Sequence, residues 1–178
     1  MVKIPNWCTA QIQVTGKDAT SVEAFCKHFI FDEEVDKEGK KEYFARSFAN
    51  VPWKYFKKEV GLGKHKEVEF GIDFAWSAHS CIIEGYPDGG DLITLSDACK
   101  KHKVYVTIDT EEEGMGFEEH IECNEKGKLV KQDCVDMPEY QCLKCKEKQM
   151  MPTHYDTEDE SCYSCETVGQ WKIVKRKK

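Results

Sequence analysis

The 178-residue sequence has no long hydrophobic run. None approaches the roughly 18–20 consecutive apolar residues that a membrane-spanning helix requires. The opening stretch, "MVKIPNWCTA", also lacks the roughly 7–15-residue apolar segment of a secretory signal. The expectation is a reducing cytoplasm and no membrane partner. Ten cysteines in that setting do not read as a disulfide scaffold, so at least some need another explanation. A surplus of positive charge is missing too. At a net charge of −7 the whole chain is a poor non-specific ligand for nucleic acid.

What is present is enough for a core. Hydrophobic residues make up 40% and aromatics 11%, while the 33% of charged residues is mixed in sign, which argues against wholesale disorder. The length suits one domain with a small appendage. Charge is unevenly spread. Residues 140–178 hold eight Lys/Arg against six Asp/Glu, which leaves 18 and 27 in residues 1–139, a balance of −9.

Three stretches alternate at the period of a half-buried strand. In "PNWCTAQIQVTG", Cys8, Ala10, Ile12 and Val14 share one face, with Trp7 as an anchor at the sheet edge. Val68, Phe70, Ile72 and Phe74 repeat the pattern, and so do Val104, Val106 and Ile108. Between them lie helical patterns. Thr20 with Glu23 reads as a capping box before Val22, Phe25, Cys26 and Phe29. "VPWKYFKKEVG" reads as a short helix stopped by Gly61. Asp91 is placed to cap a helix with Leu92, Leu95, Cys99 and His102 along one side. "FDEEVDKEGKKEYF" and "EGYPDGGD" read as loops, and "TEEEGMG" as an acidic turn before "FEEHIEC" and a last strand, "LVKQDCV". The order predicts an α+β fold, a ferredoxin-like antiparallel sheet with helices on one face, over about 1–138 with an insert at about 31–66.

The remainder, about 139–171, carries Cys142-x2-Cys145 and Cys162-x2-Cys165 with sixteen residues between the pairs. Each pair closes a tight turn that aims two thiolates at one point, and two such turns supply the four soft ligands of a structural Zn2+ site. Some forty residues with few large apolar side chains need such a staple. The expectation is a small zinc ribbon held by four cysteines; His154, between the pairs, fits neither.

"PNWC" before a strand ending in Gly, "AWS" at 75–77 and "EEGMGF" at 112–117 occur in an order that resembles the YubB-type ferredoxin-like family of phage and plasmid proteins. The resemblance spans roughly residues 3–135 in pattern. Ala10, Ala78-His79 and Glu118-Glu119 depart from the family's usual residues. The resemblance therefore implies a fold and a mobile-element setting, in the host cytoplasm if phage-encoded, more than a reaction.

No convergent catalytic set is evident. Ser77, His79, Ser80 and Cys81 crowd one short stretch, whereas nucleophile and base usually come from distant segments. The expected sheet face of Thr9, Gln11, Gln13, Thr15, Glu67, Glu69, Tyr105, Thr107 and Asp109 has too many carboxylates to court RNA. A non-enzymatic protein that binds a host macromolecule follows, with Glu111, Glu112, Glu113, Glu118 and Glu119 as the surface for a basic nucleic-acid enzyme. Inhibition of a host defence nuclease, in the manner of an anti-CRISPR protein, fits the mobile-element setting. The alternative is an accessory nucleic-acid-binding factor. It would use the ribbon and a basic tail at 172–178, through Trp171, Lys172, Lys175, Arg176, Lys177 and Lys178.

Overall fold

A computed structural model of the protein describes residues 7–30, 42–48, 52–83, 92–112, 114–151 and 158–175. In chain order the elements are β1 (Trp7–Gly16), α1 (Ala19–Cys26) with a 3-10 turn over Lys27–Phe29, β2 (Ser47–Phe48) and α2 (Trp53–Val60). Then come β3 (Glu67–Ala75), a π-type turn over His79–Ile83 and α3 (Leu95–His102). The last six are β4 (Val104–Glu112), β5 (Phe117–Cys123), β6 (Leu129–Asp136), β7 (Glu139–Cys142), β8 (Lys148–Met150) and β9 (Trp171–Lys175). The fold is mixed α+β. One sheet has six strands in the order β2-β3-β1-β4-β5-β6, the other three in the order β8-β7-β9. β1 and β3 pair antiparallel from Trp7 opposite Ala75 to Thr15 opposite Glu67, and β2 pairs antiparallel with β3.

Alternation decides which face of the larger sheet is covered. Cys8, Ala10, Ile12 and Val14 are buried, as are Val68, Phe70, Ile72, Phe74, Val104, Val106 and Ile108. Helix α1 packs on β1, β3 and α3, with Val22, Phe25 and Cys26 turned inward. Phe29 meets Phe25 and Phe70 edge-on at 5.7 and 5.6 Å, and Phe56 meets Phe70 at 5.1 Å. Each such ring contributes roughly 1.5–3 kcal/mol by leaving water. Gly61 ends α2 in the left-handed conformation, as its position suggested.

Several expectations change. The cap of α1 is Asp18, whose side chain accepts from Ser21 N–H at 2.8 Å, not Thr20. Glu23 is engaged elsewhere, with Lys57 Nζ at 2.5 Å. The cap of α3 is Thr94, which accepts from Asp97 N–H at 3.2 Å; Leu92 is exposed. Asp91 lies outside the described residues, as do 31–41 and 84–90, which hold most of the two expected loops. Trp7 is not at a sheet edge: β1 is flanked on both sides, and the ring is 46% exposed.

The chain forms two compact units, Met1–Thr110 with Glu119–Asp133, and Glu111–Glu118 with Cys134–Lys178. The "GMGF" stretch thus joins the unit of the cysteine pairs, and Met137 N–H donates to Gly116 O at 2.7 Å. Gly116 sits at φ 72, a backbone angle that favours glycine, and its open side faces the flexible Met150 side chain.

Candidate metal centre

The two Cys-x2-Cys stretches fold into the same turn. In the first, Lys146 N–H donates to Cys142 O and Cys142 N–H to Glu147 O; in the second, Glu166 N–H donates to Cys162 O and Cys162 N–H to Thr167 O. The residue after each second cysteine, Lys146 or Glu166, takes a positive φ of 69 or 55. These closures leave both thiols of a pair on one side of the turn.

The four sulfurs of Cys142, Cys145, Cys162 and Cys165 lie within 4.8 Å of one another and can hold a metal ion. Cys142 and Cys165 are 3.7 Å apart, Cys145 and Cys162 3.5 Å. Thiolates about 2.3 Å from one tetrahedral ion would stand about 3.8 Å apart, so the donor set fits. The backbone N–H of Cys145 lowers the pKa of Cys142, and Thr167 beside Cys165 pulls that thiol down to about 6. Both shifts favour the thiolate that ligates metal. Cys145, by contrast, which the Glu147 N–H would lower, is pushed up to about 12 by burial and the sulfurs of Cys162, Cys165 and Cys142. His154 lies outside the described residues.

The expected basic tail is partly a strand. Lys172 to Lys175 belong to β9, where Lys172 stands opposite Gln141 and Trp171 opposite Cys142. Trp171 Nε1–H donates to Glu160 O at 3.0 Å, which fixes the indole against the ribbon by its edge. Arg176, Lys177 and Lys178 lie outside the described residues.

The acidic surface is also redistributed. Glu111 and Glu112 continue β4, and Glu112 is buried, accepting from Met115 N–H. Glu119 is buried as well. Its Oε2 accepts from Ala78 N–H at 2.9 Å and Thr110 Oγ1–H at 3.2 Å, while burial raises its pKa against these bonds. Glu118 is half-buried, and Glu113 lies outside the described residues. Two of these five carboxylates thus face inward: Glu112 closes its own local turn at Met115, and Glu119 caps a turn 41 residues away at Ala78.

That turn contains "WSAHSC". Ser77 Oγ accepts from Ser80 N–H at 3.1 Å and lies 2.8 Å from Ser80 Oγ. Cys81 is buried, donates to Ala75 O at 3.1 Å, and burial pushes its pKa up to about 11. These contacts hold a turn together. Trp76, at φ 72, lies under the Arg46 guanidinium at 4.8 Å.

The larger sheet's uncovered face is an ordered row of carboxylates. Gln11 donates to Glu69 at 2.7 Å, Gln13 to Glu67 at 2.9 Å and Thr9 to Asp73 at 3.4 Å. Tyr105 donates to Glu122, and His120 bridges Asp109 at 2.5 Å and Glu122 at 2.9 Å. Alternation along each strand puts these residues on one face; only the strand order sets them side by side. No family model, curated protein or solved structure matches this chain.

Proposed function

We propose that the chain is a non-catalytic binding protein of phage or mobile-element type. It engages a basic host macromolecule through the carboxylate-lined sheet face, and a structural Zn2+ closes its ribbon. The observation that carries this is the row Glu67, Glu69, Asp73, Asp109 and Glu122, each held by a hydrogen bond from a neighbouring strand. Pre-positioned charge on a broad surface steers a cationic partner and speeds encounter. A host defence nuclease is such a partner, since enzymes that grip nucleic acid present basic surfaces, and an anti-CRISPR-like inhibitor acting in the cytoplasm follows.

The ferredoxin-like reading is supported by the first four strands. They run β2-β3-β1-β4 across the sheet with helices between β1 and β2 and between β3 and β4; α2 is an added helix between β2 and β3, and β5 and β6 extend the β4 side. Zinc is favoured over other ions because four thiolates at tetrahedral spacing are its structural set. The nucleic-acid reading keeps exposed Lys144, Lys172 and Tyr163, beside Trp171, whose Nε1–H donates to Glu160 O.

Affinity capture from a bacterial host lysate tests the proposal. The wild-type chain is expected to retain a basic protein, and the Glu67→Lys/Glu69→Lys/Asp109→Lys variant to lose it. Capture that survives those three changes, or steep salt-dependent DNA binding abolished by deleting 172–178, would refute it.

A further inference from the structure

Strand β6 ends the six-stranded sheet, and from Val130 to Asp136 every residue is exposed. Neither face is covered, and among the described residues no neighbouring strand occupies its outer edge. An edge of that kind offers a row of backbone donors and acceptors to any strand of suitable sequence, and natural proteins usually blunt it. Here no proline interrupts the strand, and Val130 and Val135 remain 47% and 49% exposed.

The sequence of the edge is complementary to itself. In "KLVKQDCVD", residues 128–136, an antiparallel pairing of two copies centred on Gln132 places Lys131 opposite Asp133, Val130 opposite Cys134, Leu129 opposite Val135 and Lys128 opposite Asp136. Every cationic position meets an anionic one, and every apolar position meets an apolar or thiol side chain. Opposite charges placed directly across an antiparallel pair stabilise it, and like charges do the reverse. Two-fold pairing into one continuous sheet must keep each residue's face, so the register can move only in steps that shift the centre by one residue. Centring on Lys131 or on Asp133 sets that residue against its own copy, like charge on like. One register alone satisfies the charges.

We propose that β6 is a homodimer interface, in which two copies of this chain join edge to edge through 128–136 in a two-fold antiparallel pair. Within one chain, Lys131 Nζ lies 3.6 Å from Asp133 Oδ2, with both side chains at least half exposed. Exposed pairs of that kind contribute little, so exchanging the partner for the copy's residue costs little. The contact is isologous: the same strand serves on both sides, and assembly stops at two. The proposal is independent of the basic-partner reading, because it uses the edge and not the face of the sheet.

Sedimentation equilibrium of the full metal-loaded chain tests it. The wild type is expected to be a concentration-dependent dimer at sub-millimolar concentration. Lys131→Asp places two acidic pairs across the axis and is expected to weaken the dimer about tenfold or more. Lys131→Asp/Asp133→Lys restores opposite charges in reversed order and is expected to recover the dimer, which separates loss of the interface from loss of the fold. A monomeric wild type, a dimer indifferent to Lys131→Asp, or a double variant that stays monomeric would each overturn the assignment.

Discussion

His28 and His102 meet Nε2 to Nε2 at 2.8 Å, and one hydrogen fits between them. His28 Nδ1 lies 2.6 Å from Glu42 O, a carbonyl that only accepts, so His28 donates there. When both rings are neutral, His28 Nε2 carries no hydrogen and His102 Nε2–H supplies the shared one. Burial, then His28 and Lys101, hold the His102 pKa down to about 4, with Glu42 opposing. The folded state keeps this ring neutral at pH values where the unfolded chain, near 6.5, takes up a proton. Stability is thus expected to fall as pH drops from about 6.5 towards 4. Urea midpoints across that range should show it, and His102→Gln should flatten the dependence. His120 works in the opposite sense: burial lowers its pKa, but Glu122 and Asp109 outweigh burial and raise it. Its contribution is complete in acid and is lost as pH rises through the raised value.

At the same scale, Asp18→Ala should lower the denaturation midpoint measurably, whereas Thr20→Ala should be nearly neutral. The Thr-x-x-Glu spacing pointed to the wrong cap for a definite reason. Glu23 is drawn to Lys57, 34 positions away, and a local pattern carries no trace of that ion pair. Glu119 is similar, since its partner Ala78 lies 41 positions earlier.

Among the elements, strands were the most legible. Burial alternates along β1, β3 and β4 as the residues do, because a strand with one covered face prints its environment on the chain at period two. The Cys-x2-Cys turns were equally plain, since ligand chemistry fixes the spacing. Hidden from view was the left-handed backbone after each second cysteine, occupied here by Lys146 and Glu166 where glycine is the usual choice. Lys146→Gly or Glu166→Gly should therefore be tolerated, changing stability by no more than about 1 kcal/mol in either direction. Cys142→Ser/Cys162→Ser should abolish stoichiometric metal, measured by elemental analysis. It should also unfold β7 to β9 while amides of β1 and β3 stay protected from hydrogen exchange.

For the whole molecule, the net charge of −7 says only that the surface repels phosphates. Where the charge is concentrated depends on strand order, which no single alternating segment encodes. The acidic "EEE" at 111–113 draws attention in the sequence, yet Glu112 is 2% exposed, while the scattered Glu67, Glu69 and Asp109 converge on the open face. Composition counts charges; topology aims them. If partner capture runs through that face, its association rate should fall several-fold between low and physiological salt, measured by stopped-flow mixing.

In the ribbon, Glu139 stands opposite Lys175, so the polypeptide enters and leaves at the same rung. Tension applied between those two points would open β7 from β9 like a zipper, one rung at a time, until it reached Cys142 and Trp171. There, with a metal held by the four cysteines, its bonds to sulfur would bear the load. An optical-trap recording should show weak initial yielding followed by a single abrupt rupture, and a chelator should erase the second event.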